Sequence, residues 1–186
     1  MQNYNSFCVQ SNKTVILFLI KFFGAYILLF LTYSFYLSKT QKTVGQFSCA
    51  PITKTVAAQT EFLLNSVGYN AEIEQHSEEV SVKLFMNDKF VARIIEGCNS
   101  ISIIILFISF IIAFSSNFKA TFLFIVVGSL LIYFLNIFRI AFISIALYKY
   151  PQYEYILHDI IFPLIIYGIV FLLWFIWVRK FSKLKK

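Results

Sequence analysis

Residues 120–148, ATFLFIVVGSLLIYFLNIFRIAFISIALY, form an uninterrupted apolar run whose single charge is Arg139. At about 1.5 Å of rise per residue, about 20 helical residues cross a hydrocarbon core of about 30 Å, so this run reads as membrane helix with length to spare. It reads equally as one long helix or two short ones. A guanidinium in hydrocarbon is costly unless it snorkels, pairs or faces a polar cavity, which makes Arg139 a functional-site candidate by default.

Three further apolar segments flank this one: Thr14 to Leu37, Cys98 to about Asn117, and Asp159 to Val178. The first is too long for a signal-peptide core and lacks a small-residue cleavage site, so residues 1–37 are expected to form a retained signal-anchor helix in which Lys21 snorkels. The expected fold class is an all-α integral membrane protein of about four transmembrane helices. The composition agrees: 59% of the 186 residues are hydrophobic, 19% are aromatic and only 13% are charged. Lipid can solvate that apolar surface, whereas a soluble domain of this size could not bury it.

Charge fixes the expected orientation. Arg179, Lys180, Lys183, Lys185 and Lys186 crowd the C-terminus just after Trp174 and Trp177, as in a cytoplasmic anchor below an aromatic belt. Alternation then puts both termini inside and residues 38–97 outside. All nine acidic residues fall in or at the edge of the two outer segments, consistent with that placement. The net charge of +7 is thereby assigned to membrane topology and lipid headgroups, with no nucleic-acid partner expected.

Residues 38–97 are expected to form a small α+β module. Thr55 to Val67 reads as a short helix and Gly68 to Asn70 as a turn. Val80, Val82, Leu84 and Met86 alternate with polar residues before Asn87-Asp88 and a second β-rich run from Phe90 to Ile95, which reads as a hairpin. So small a unit needs the membrane helices beneath it for stability. Residues 98–186 would then be a three-span catalytic core with a basic tail.

Depth along the helices brings three residues to one level. Cys98 opens the second span, Arg139 lies about 20 residues into the third, and His158 precedes the fourth. Each has an ordinary reading alone: a small buried hydrophobe, a snorkelling cation, a polar helix start. Together they suit nucleophilic acyl transfer. Cys98 would be the nucleophile, His158 the general acid/base and Arg139 the electrostatic partner that favours the thiolate or steadies an oxyanion. Asn136, one turn before Arg139, is placed to orient the guanidinium or to bond a neighbouring helix. Asp159 adjoins His158, but adjacent residues do not share a helix face, so it is a lesser candidate for orienting the imidazole. Cys49 either remains a free thiol or pairs with Cys98, which would block the nucleophile. No metal-ligand spacing, HExxH, P-loop or GxGxxG occurs, so neither metal nor cofactor is expected.

At Glu96-Gly97-Cys98-Asn99-Ser100, Asn136-Ile137-Phe138-Arg139-Ile140 and His158-Asp159 the chain resembles the exosortase/archaeosortase family, most closely its exosortase F branch. The resemblance runs from Ile95 to the C-terminus. It implies a cysteine transpeptidase or protease in a bacterial inner membrane, with an extracytoplasmic active site. Its partners would be secreted proteins ending in a short motif, a transmembrane helix and a basic tail. Members commonly carry Cys, a small residue and Gly where this chain has Cys98-Asn99-Ser100, a departure at the turn that would build any backbone oxyanion hole. Asn99 is taken as a supporting residue there. The competing expectation is a non-enzymatic transport or assembly subunit in which Arg139 and His158 form an intramembrane polar pair. A third, a lipid-binding scaffold, would keep Arg139 for headgroups.

Overall fold

A computed structural model describes residues 2–42, 47–114 and 117–180. The elements run α1 (Gln2–Thr40), α2 (Pro51–Ser66), β1 (Ala71–Gln75), β2 (Ser81–Met86), β3 (Lys89–Ile95), a 3-10 turn (Glu96–Asn99), α3 (Ile101–Ala113), α4 (Phe118–Lys149) and α5 (Phe162–Lys180). A 3-10 turn, Pro151–Tyr153, and a π-helical turn, Ile156–Ile161, link α4 to α5.

Three helical stretches are long and apolar enough to cross a membrane: Val15–Thr40, Phe118–Lys149 and Ile156–Lys180. The expected second span is shorter than its apolar sequence. Helix α3 has 13 residues, about 20 Å: at its start Ser100 adopts a left-handed conformation (φ 64°, ψ −2°) that separates the 3-10 turn from the helix, and it ends at Ala113. Residues 120–148 lie in one helix, whose 32 residues measure about 48 Å and overrun a hydrocarbon core.

The excess length of α4 has a use. Its C-terminal part forms the wall on which α2 and the sheet pack. Val56 and Ala57 of α2, Val82 of β2 and Ile94 of β3 share a core with Ile140. Leu64, Ala71, Leu84 and Met86 share another with Ala141 and Ile145. These two cores join the small module to α4.

The sheet is an antiparallel meander, β1-β2-β3. Asn87 and Asp88 both have positive φ (48° and 62°), as a two-residue type I′ hairpin requires, so the expected hairpin is present. Strand β1 was not anticipated. Its Ala71 and Ile73 turn inward between outward Glu72 and Glu74, a short alternation in which the acidic residues mask the pattern. Gly68, at φ +96°, makes the expected turn before it.

At the other end of the bundle the packing is aromatic. Phe107, Ile111, Ile132, Val170 and Trp177 form a buried cluster joining α3, α4 and α5. Phe110 stacks on Trp174 with ring centroids 4.3 Å apart, and Phe18 of α1 approaches Phe114 at 4.4 Å. Helix α4 comes this close because residue 128 is glycine: a Cβ there would sit 2.4 Å from the Phe107 ring. Trp177, expected in an aromatic belt, is fully buried and donates its indole N–H to the Phe114 carbonyl (3.2 Å). Of the basic tail, Arg179 and Lys180 end α5. Lys183, Lys185 and Lys186 lie outside the described residues.

Candidate functional site

The 3-10 turn that carries Cys98 is tied down on three sides. Helix α2 begins at Pro51 with Ala50 as N-cap and no capping side chain of its own. The Glu96 carboxylate serves instead, accepting from Ala50 N (2.7 Å), from the Gln41 amide (3.2 Å) and from the Thr53 hydroxyl. A carboxylate there completes orphan N–H groups and meets the positive end of the helix dipole. Asn99 is 1% exposed; its amide donates to Tyr33 Oη (2.7 Å) and Thr53 Oγ1 (3.0 Å). Its side-chain oxygen accepts from Ile101 N at 3.0 Å. These bonds fasten the turn to α1 and α2, so Asn99 supports the site from behind.

The third tie comes from α4. Asn136, fully buried, donates its amide to the Cys98 carbonyl at 2.6 Å and accepts from Arg139 Nη1 at 3.2 Å. One side chain therefore sets both the turn bearing the thiol and the guanidinium a helical turn away. Arg139 Nε is buried without a hydrogen-bond partner, and no carboxylate pairs with Arg139 among the described residues. Its charge lies within electrostatic reach of the Cys98 thiol and the Tyr167 hydroxyl.

A cavity of about 240 Å³ opens beside this arrangement, lined by Cys98, Arg139, Ser144, Glu154 and His158 together with apolar residues of β3 and α4. Three separate elements thus deliver Cys98, Arg139 and His158 to one space. Asn99, Asn136 and Asp159 do not line it; they hold residues that do. His158 sits on the π-helical turn, where Pro163 lacks the N–H that the Asp159 carbonyl would otherwise receive from four residues on. Its Nδ1 meets Asp159 Oδ1 at 2.8 Å. Sequence reasoning ranked Asp159 low because neighbours on a regular helix diverge; both side chains are exposed and swing together beside the wide turn.

Arg139 and His158 each have their own partner, Asn136 and Asp159, and no bond joins the two. Cys49 and Cys98 are both free thiols. Cys49 is 1% exposed, and burial, with the Glu96 carboxylate second, pushes its thiol up to about 11. Cys98 packs against the same core but is partly exposed to the cavity. No group of three or more His, Cys, Asp or Glu side chains is placed to hold a metal among the described residues.

Sequence reading missed Glu96, Thr53, Tyr33 and Glu154. The first three are ordinary polar residues until folding brings α1, α2 and the Cys98 turn together; only the absent side-chain cap before Pro51 signalled a remote partner for α2. Glu154 belongs to a loop with no local pattern. A family model described as transmembrane exosortase matches residues 13–178. No curated protein and no solved structure matches the chain.

Proposed function

The chain belongs to the transmembrane exosortase family, and on that premise we propose that it cleaves C-terminal sorting signals through Cys98, Arg139 and His158, as a member of the exosortase F branch. Family membership points to a membrane transpeptidase of the sorting type. The observation that carries the residue assignment is the shared cavity in which Arg139 keeps Nε–H without a partner beside a partly exposed thiol.

In the proposed reaction His158 takes the Cys98 proton and the sulfur attacks the scissile carbonyl carbon. The carbonyl electrons move onto oxygen, where the guanidinium stabilises them. Collapse expels the amine, which receives the proton from His158, and leaves a thioester. Water or an amine then attacks the thioester and restores the thiol. Asp159 would hold the imidazole with Nε2 toward the thiol, and Asn136 would hold the guanidinium in place. The long C-terminal part of α4 and the short α3 support a site at the extracytoplasmic face of a bacterial inner membrane. Both termini would be cytoplasmic, with α3 completing a four-helix bundle. The domain organisation is accordingly an anchor helix, an outer module and a catalytic core.

The test is the length of a reporter in cells: a secreted protein whose C-terminus carries a short motif, an apolar helix and basic residues. Cys98→Ala is expected to persist in the membrane while uncleaved reporter accumulates. Cys98→Ser should be nearly as inactive, because a hydroxyl has no comparable anionic form. Normal cleavage by Cys98→Ala would overturn the proposal.

A further inference from the structure

The cavity wall contributed by β3 has an unusual composition. Val91, Ala92, Arg93, Ile94 and Ile95, five consecutive residues, all line it. Successive side chains of a strand point to opposite faces, so a cavity against one face would touch only alternate residues. A cavity touching all five lies against the strand's backbone edge. Among the described residues β3 is an edge strand, paired only with β2.

The register shows which backbone groups that edge offers. Ser81 O accepts from His76 N (3.0 Å), so Ser81, and with it Lys83, turns its peptide groups toward β1. Val82 and Leu84 therefore turn theirs toward β3, where their partners are Ile94 and Ala92. Arg93 and Ile95 lie between and beyond these ladder residues, so their N–H groups, and the Arg93 carbonyl, face the open side. No hydrogen bond occupies them among the described residues. The strand leads directly into Glu96, Gly97 and Cys98.

Direction follows from the packing on α4. Asn87, at the hairpin tip, bonds Tyr148 Oη near the end of α4 (3.1 Å), whereas Ile94 packs on Ile140, eight residues back along that helix. β3 therefore descends toward the membrane-spanning part of α4 as it approaches Cys98. A substrate anchored by a helix C-terminal to its scissile bond descends in the same sense.

We infer that the extended segment of the substrate just N-terminal to its scissile bond adds to the sheet as a parallel fourth strand along β3, held by Arg93 and Ile95 and delivered to Cys98. This rests on the proposed function and specifies how that site takes its peptide. Backbone pairing recognises an extended chain through groups that every residue carries, and leaves selectivity to alternate side chains. The guanidinium and thiol meet the carbonyl just beyond the paired segment.

The test uses full-length protein in membranes with the same reporter. In a Cys8→Ser, Cys49→Ser, Cys98→Ala background, Arg93→Cys is oxidised against reporters bearing a single cysteine at each of six successive residues before the cleavage site. Alternate residues should cross-link, at least about fivefold above those between them, since a strand's side chains repeat every second residue. Uniform cross-linking, none, or cross-linking only beyond the cleavage site would overturn the inference. In the active enzyme, Arg93→Pro removes an outward N–H and no ladder bond, and should lower processing about tenfold at unchanged protein level. Unchanged processing overturns the inference; if the variant accumulates poorly, the cross-linking pattern decides. Failure of the underlying function is separate, since it would appear as normal reporter cleavage by Cys98→Ala.

Discussion

The two halves of α4 share one helix and little else. From Phe118 to Leu135 it is held mainly by shape: Gly128 admits the Phe107 ring, Ile132 packs in the aromatic cluster with Trp177, and one polar bond runs from the Tyr133 hydroxyl to Gln59 Oε1 (2.6 Å). From Asn136 onward it is held by shape and by specific polar bonds, through Asn136 to the Cys98 carbonyl and to Arg139, with Ile140 and Ala141 beneath the sheet. The first half anchors the bundle; the second aligns groups from distant parts of the chain. A substitution in the first half should act on the amount of folded protein, and one in the second on what the folded protein does.

The sharpest separation is expected at Arg139. Arg139→Met removes a cation that no carboxylate neutralises, so folded protein should be retained, while reporter processing falls by about a hundredfold or more, the scale of losing one oxyanion donor. Arg139→Lys should lose most activity too if the planar fork is needed, because a lysine cannot engage Asn136 and a substrate oxygen in the same geometry. Thermal melts in detergent beside processing assays would check both. Equal loss of stability and activity would erase the distinction between the halves.

Gly128→Val is the converse. A side chain there collides with the Phe107 ring, and overpacking of this kind costs about 1–3 kcal/mol. The melting temperature should drop while processing per folded molecule is kept. Asn136→Ala sits at the boundary. It strips a buried carbonyl of its donor, a penalty of about 1–3 kcal/mol, and should lower both stability and processing about tenfold.

The smallest effect separates the two thiols. Cys49, buried and with its thiol pushed up to about 11, has about one molecule in a thousand as thiolate at pH 8. It should alkylate far more slowly than Cys98, which opens on the cavity. Raising the pH toward 11 should speed the alkylation of Cys49. Mass spectrometry after timed iodoacetamide treatment reads both sites, and equal rates would contradict the difference in burial.

Apolar runs are legible from sequence because lipid imposes length and uniformity, so the long helices and the Asn87-Asp88 hairpin could be read directly. Helix α3 starts later than its apolar sequence because hydropathy does not register a left-handed residue such as Ser100. That same residue adopts a conformation that glycine takes most readily, at the position where the family resemblance leads one to expect glycine. Cys98, Arg139 and His158 could be aligned by counting rise along helices. Asn136 was legible from its spacing to Arg139, though not its bond to Cys98. Glu96 and Thr53 could not be read, because their bonds join residues over forty positions apart. The contact between Asp159 and His158 is not legible in the sequence, because a π-helical turn breaks the spacing rules of a regular helix.

Glu96 gives the chain an indivisible joint. Its carboxylate ends the strand segment, starts α2 and adjoins the turn that seats Cys98. The module of α2 and the sheet is therefore no free cassette: a graft cut at residue 97 would keep Glu96 with Gln41, Ala50 and Thr53 but part Thr53 from Asn99, which bonds it from beyond the cut. Lineages that vary this module would have to carry the acid, its threonine and the asparagine behind the thiol together, as one inherited unit.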